Sequence, residues 1–122
     1  LDKFKPINDN FGHEQGDTVL VKIADTLKNN SRLEDIVVRL GGDEFLLVLP
    51  HCPLEQAKNK AENLCLDISK LLFKKSDVRI SASFGVASTE QGEFNFKRLL
   101  ALADKAAYGA KALGGNTVQS VP

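Results

Sequence analysis

Two carboxylates stand side by side directly after two glycines in the run Arg39-Leu40-Gly41-Gly42-Asp43-Glu44-Phe45. Glycine tolerates the positive φ that tight hairpin turns require, and without a Cβ it lets a ligand approach the backbone. The apolar segments Ile36 to Leu40 and Phe45 to Leu49 flank the pair, so the pattern predicts a hairpin with a charged tip. Hard divalent cations take oxygen donors, carboxylates among them, so such a tip can hold a metal against a phosphate. Taken alone, the same four residues also make an ordinary solvated turn.

The other reactive residue types offer less. Cys52 and Cys65 are the only cysteines, too few for a disulfide framework and in keeping with reduced thiols. His51 with Cys52 and Cys65 lacks a fourth ligand at zinc spacing. Ser81 and Ser83 have no partner His and Asp at hand, which argues against a hydrolase triad. His13 shapes the turn Phe11-Gly12-His13 rather than serving as acid or base.

The elements that must position these residues follow from hydrophobic period. Leu1 to Asn10 reads as a short mixed segment and Phe11 to Gly16 as turn-rich. A helix is expected from near Asp17, with Leu20, Ile23, Ala24 and Leu27 on one stripe, ending at Asn29-Asn30-Ser31. After the hairpin, Pro53 in a first turn opens a second helix along Leu54, Ala57, Ala61, Leu64, Ile68 and Leu71. Val78, Ile80, Ala82, Phe84 and Val86 alternate with polar or small residues, as in a half-buried strand. A third helix is expected from about Phe96 to Leu113, stopped by Gly114-Gly115, and Thr117 to Val121 closes the chain as an edge strand. Helices and strands alternate without repeats or linkers, which predicts one α/β or α+β layered domain over residues 1–122.

Bulk composition narrows the partners. Hydrophobic residues are 43% and charged residues 26% of 122, a globular balance and not a disordered one. Basic and acidic residues number 16 each, so no overall field favours nucleic acid or an anionic membrane, and small polar ligands fit better. No apolar run reaches membrane-span length and no signal peptide opens the chain. A cytoplasmic domain without direct membrane contact is expected, whether or not its parent is anchored. Methionine is absent even at position 1, so the sequence is expected to begin inside a longer reading frame.

Three ordered blocks resemble the GGDEF domain of diguanylate cyclases. They are Gly41-Gly42-Asp43-Glu44-Phe45, the upstream Asp2-Lys3-Phe4-Lys5-Pro6-Ile7-Asn8-Asp9 with Phe11-Gly12-His13 and Gly16-Asp17, and the helix from Ala103-Asp104 to Lys111. The resemblance implies condensation of two GTP to cyclic di-GMP with release of two pyrophosphates. It also implies a mostly antiparallel five-stranded central sheet flanked by helices, akin to nucleotidyl cyclases and the polymerase palm. Mg²⁺ or Mn²⁺ would be the cofactor, and a homodimer is required because each domain holds one GTP.

On this chain, Asp43 matches the metal-binding acid that helps deprotonate the attacking hydroxyl, Glu44 is its neighbour, and Leu1 would lend the metal its carbonyl. Asn8 and Asp17 match the guanine readers; a carboxylate only accepts, and guanine presents adjacent N1–H and N2–H donors. Read singly, Asp17 also suits a helix N-cap and Asn8 a turn. Lys5 and Lys111 match phosphate contacts, and the amides of Lys3 and Phe4 the phosphate cradle. Arg32 and Asp35 match the inhibitory site that binds cyclic di-GMP.

Departures from the family pattern carry expectations of their own. The arginine ahead of the closing Asn-x-Val is missing, with Gly115 before Asn116, which predicts weaker GTP binding or slower turnover. Asn63 replaces an arginine that completes the inhibitory site, which predicts loose product inhibition. The family's other metal-binding Asp ends a first strand just before the position of Leu1, and Asp2 is the second acid of its Asp-x-Asp. The domain is therefore expected to be incomplete at its amino end and impaired as it stands, with regulatory domains elsewhere in the parent chain. The rival expectation is a catalytically inactive GGDEF domain serving as a receptor for cyclic di-GMP or GTP.

Overall fold

The computed structural model, which describes residues 1–73, 78–89 and 95–121, opens on two consecutive helices, α1 (Phe4–Phe11) and α2 (His13–Asn29). The expected mixed segment, turn and helix from Asp17 are thereby corrected. Only Gly12, at φ 89°, interrupts the helical run. Phe4 and Ile7, three residues apart, bury one face of α1, and Pro6 stands in its first turn, where a missing N–H breaks no helical bond. Asp17 lies exposed within α2 and caps nothing.

The hairpin forms as expected from β1 (Ile36–Gly41) and β2 (Glu44–Val48), antiparallel from Ile36↔Val48 to Gly41↔Glu44 with a register shift between Arg39 and Gly41. It is followed by α3 (Leu54–Ser69), which starts after Pro53 and stops short of Leu71. The strand expected from Val78 has a ladder only over β3 (Ser83–Val86), although Val78, Ile80 and Ala82 are buried and Arg79 exposed. From β3 the fold continues to α4 (Phe96–Ala112) and β4 (Thr117–Ser120), which runs parallel to β3.

Among the described residues the strands form two two-stranded sheets, where the resemblance implied one of five. The Leu1–Asp2 segment links them. The Leu1 nitrogen donates to the Asp43 carbonyl at the hairpin tip and the Asp2 nitrogen to the Ser81 carbonyl, each at 2.9 Å.

One core holds these pieces together. Val19, Leu20, Ile23 and Leu27 of α2 meet Phe4 and Ile7 of α1, Leu64 and Ile68 of α3, and Phe73, Val78, Ile80 and Ala82. Burying each large aliphatic side chain contributes roughly 1.5–3 kcal/mol. Val37, Phe45 and Leu47 turn one face of the hairpin to this core while Ile36 and Val38 remain exposed, the alternation of a pleated strand. On the other side α4 seats directly on β3: a Cβ on Gly85 would overlap the Ala103 carbonyl oxygen and the Ala107 nitrogen.

Candidate functional site

The hairpin tip is built for access. Gly41 and Gly42 have φ of 152° and 50°, and a Cβ on either would meet no atom within 4 Å. Backbone conformation, not packing, calls for glycine there, and the space above the tip stays open. Arg39 Nε donates to the Gly42 carbonyl at 2.8 Å and braces the turn. The Asp43 side chain is 31% exposed, with Oδ2 3.9 Å from the Leu1 nitrogen. Lys111, near the end of α4, donates from Nζ to the Leu1 carbonyl at 3.3 Å. Glu44 follows Asp43 directly and is exposed at the start of β2. The structure thus brings Leu1, Asp43, Glu44 and Lys111 together from three separate parts of the chain.

The next residues form a cradle. Lys3 is left-handed at φ 53° and ψ 38°, immediately before α1. A left-handed residue followed by a helical one turns successive N–H groups, here those of Lys3, Phe4 and Lys5, toward a common point, at the positive end of the helix dipole. Pro6 has no N–H, so the cradle ends at Lys5. The Lys3 and Lys5 side chains are exposed. One turn further, about 6 Å along the axis, Asn8 packs its side chain on Gly16 of α2, where a Cβ would overlap Asn8 Oδ1. Asp17 follows directly, so Asn8 and the Gly16–Asp17 step share the elbow between α1 and α2.

Asp2 has a role that sequence reading missed. Its Oδ1 accepts from Ser83 Oγ at 2.5 Å, and its Oδ2 accepts from Ser81 Oγ at 2.7 Å and from the Asn116 amide at 2.8 Å. Burial disfavours the charge, but the bonds from Ser83, Ser81 and Asn116 outweigh it and hold the carboxyl below its ordinary range. The available signal was the spacing of Ser81 and Ser83, two residues apart and therefore on one side of the chain. A Cβ on Gly115, at φ 78°, would lie 2.7 Å from Asp2 Oδ2. Asn116 is supported from behind by Cys65, whose Sγ lies 3.5 Å from both Asn116 Oδ1 and the Ala82 carbonyl oxygen, so that its one S–H can donate to either; burial pushes this thiol up and keeps it a donor.

Arg32 and Asp35 face each other. The Arg32 amide donates to Asp35 Oδ2 at 2.8 Å, and its guanidinium reaches Asp35 Oδ1 at 3.3 Å and the Pro50 carbonyl at 2.7 Å. Lys60 Nζ lies 3.7 Å from Asp35 Oδ2 and donates to the Asn30 carbonyl. The Asp35 side chain is 1% exposed. Its burial works against ionisation, but the Arg32 amide and guanidinium, with Lys60, hold the carboxyl below its ordinary range. Arg32 itself is exposed and borders a cavity of about 410 Å³ lined also by Cys52, Gln56, Asn59, Lys60 and Asn63. Asp35 is committed to the clasp, and Arg32 remains at the cavity.

Mg²⁺ and Mn²⁺ are held by one or two carboxylates together with substrate phosphates and water. The Asp43 carboxylate, with the backbone of Leu1 nearby, fits such a donor set; among the described residues no three His, Cys, Asp or Glu converge as a closed protein cage. Among the same residues no helix is long and apolar enough to cross a membrane.

Known proteins resemble this chain over nearly its whole length. Residues 1–117 match the family model described as diguanylate cyclase, GGDEF domain. The chain is 38% identical to the diguanylate cyclase DosC of Escherichia coli K12 over 122 residues, covering 98% of this chain and 26% of DosC, so it spans about a quarter of such relatives. Among solved structures it is similar to the active GGEEF domain of a diguanylate cyclase from Vibrio cholerae, with TM-score 0.89, 29% identity, and 99% and 78% of the two chains covered. It is also similar to a microbial GGDEF domain studied for its interaction with cyclic di-GMP, with TM-score 0.81, 31% identity, and 98% and 73% covered.

Proposed function

This chain belongs to the GGDEF domain family of diguanylate cyclases, and on that premise we propose that it condenses two GTP molecules to cyclic di-GMP and two pyrophosphates. The observation that carries the reading is the convergence of the Asp43 carboxylate, the Leu1 carbonyl and Lys111 next to the amide cradle of Lys3, Phe4 and Lys5. In this reading the cradle and the Lys5 and Lys111 side chains bind the terminal phosphates, while Asn8, one turn along α1, and Asp17, near the start of α2, read the guanine edge.

A bound Mg²⁺ or Mn²⁺ would be held by Asp43, by the Leu1 carbonyl and, less directly, by Glu44; it would neutralise charge on the phosphoryl oxygens. Asp43 accepts the proton of one GTP's 3′-hydroxyl as that oxygen bonds the α-phosphorus of the other GTP and the bond to pyrophosphate breaks. Repeating the step with the roles exchanged closes the ring, which requires two domains face to face. The GGEEF sequence of the active Vibrio cholerae domain is consistent with a carboxylate of either length at the position of Asp43. The fuller five-stranded sheet, with one strand contributed by chain preceding Leu1, and regulatory domains in the parent belong to the same proposal, as does a cytoplasmic location.

The cavity beside Arg32 favours a second role, binding of cyclic di-GMP as inhibitor or, in an inactive domain, as signal. Incubating the full-length parent with GTP and Mg²⁺ and analysing the products by mass spectrometry separates the two. Cyclic di-GMP with pyrophosphate supports the cyclase; bound nucleotide without product supports the receptor.

A further inference from the structure

We propose that Asp2 is a positioning residue: clamped by Ser81, Ser83 and the Asn116 amide, it holds the Leu1 carbonyl and the Lys3 to Lys5 amides in place for the nucleotide and does not bind the metal itself. The inference rests on the nucleotide-binding reading above, and it concerns which groups that site is built from.

Asp2 sits between the residue that offers a carbonyl and the residue that opens the amide cradle. Its carboxylate accepts one bond on Oδ1 and two on Oδ2, at 2.5, 2.7 and 2.8 Å, from donors on the β3 side and ahead of β4. Three of the roughly four lone-pair sites of the carboxylate are thereby taken, two on Oδ2 and one on Oδ1, and on the Gly115 side there is not even room for a Cβ, so a cation would find at most one site. The backbone is fixed as well, since the Asp2 nitrogen donates to the Ser81 carbonyl. Four hydrogen bonds therefore pin one residue to the Ser81–Ser83 segment and Asn116. From that anchor the chain turns one way to Leu1, bonded to Asp43 and Lys111, and the other way into left-handed Lys3. Left-handed backbone in a non-glycine residue persists only where its surroundings impose it. The clamp on Asp2 is the nearest such constraint.

The test compares the Ser81→Ala/Ser83→Ala double variant and Asp2→Asn with Asp43→Ala in the full-length parent. Two quantities are read: hydrogen exchange over residues 1–5, and calorimetric binding of a GTP analogue with a non-cleavable α,β bridge across a Mg²⁺ series. In the double variant, exchange should accelerate and nucleotide binding at saturating Mg²⁺ weaken by about fivefold or more, the scale of one lost hydrogen bond. The half-saturating Mg²⁺ should stay within about twofold of wild type, whereas Asp43→Ala raises it and leaves exchange slow. Unchanged exchange in the double variant overturns the proposal. So does an Mg²⁺ shift in Asp2→Asn equal to that of Asp43→Ala. Should the wild-type parent bind no GTP at all, the functional reading fails, and the exchange data alone then decide whether Asp2 clamps this segment.

Discussion

Replacing Asp43 with alanine should separate chemistry from folding. The Asp43 side chain is 31% exposed, and its Oδ2 lies 3.9 Å from the Leu1 nitrogen, beyond hydrogen-bond distance. A partly exposed contact of that length contributes little, since even an exposed ion pair is worth only about 0–1 kcal/mol. The firmer contact, from the Leu1 nitrogen to the Asp43 carbonyl at 2.9 Å, belongs to the backbone and survives the substitution. Urea unfolding of Asp43→Ala should therefore show a midpoint close to wild type. Activity responds on another scale: removing a protein carboxylate from a metal that stabilises phosphoryl charge forfeits several kcal/mol, and about 4 kcal/mol is roughly a thousandfold in rate. Asp43→Glu keeps the carboxylate and should keep measurable synthesis. The assay is cyclic di-GMP formed per unit time at saturating Mg²⁺, measured beside the unfolding curves. A folded Asp43→Ala protein retaining more than about a tenth of wild-type turnover, a loss of under 1.4 kcal/mol, would refute the assignment.

Three other perturbations probe the frame and the clasp. Gly85→Ala places a methyl against the Ala103 carbonyl and Ala107 nitrogen, backbone atoms that cannot rotate away, so thermal unfolding should report a loss of about 1–3 kcal/mol or more. Asp35 has a depressed folded-state pKa, so its contribution to stability is present above the unfolded carboxyl pKa of about 3.9 and is lost as pH falls through the lower folded value. The gap in urea midpoint between wild type and Asp35→Asn should accordingly be steady at neutral pH and close only below about pH 4; a gap that closes between pH 5 and 7 would contradict the clasp. Arg32→Ala removes the guanidinium bordering the cavity and should raise the cyclic di-GMP concentration needed for half-inhibition, read from initial rates with added product.

Much of this architecture is legible in the sequence, wherever a local pattern carries it. The hairpin, α3 and α4 announce themselves through alternation, helical spacing, Pro53 and Gly114-Gly115. The first helix does not, because Pro6, Asn8, Asp9, Asn10 and Gly12 read as a loop by composition. Only Phe4 and Ile7 bury a face there, too few to set a period against those turn-formers. The site divides the same way. Asp43 is marked by its glycines, but the clamp on Asp2 joins residues 79, 81 and 114 positions away, and no local period can report a contact at such distances. Arg32 and Asp35 are found by spacing; that they bond each other rather than stand open is a matter of packing.

The missing arginine near the chain's end also acquires a physical context. Viewed as sequence, Gly115 is a lost phosphate donor. In the fold it is a backbone at φ 78° whose hydrogen faces the Asp2 carboxylate, with 2.7 Å left between a built Cβ and Oδ2. A long side chain at 115 would therefore require a left-handed backbone conformation and displacement of the carboxylate that Asn116 and the two serines hold. Glycine at 115 and the clamp on Asp2 are two sides of one packing arrangement. The same arrangement leaves Lys111, already at the Leu1 carbonyl, as the basic side chain that α4 brings to the site. On the proposed reading, phosphate binding would lean on the amides of Lys3 to Lys5 and on lysine, which offers a point charge in place of a two-pronged donor.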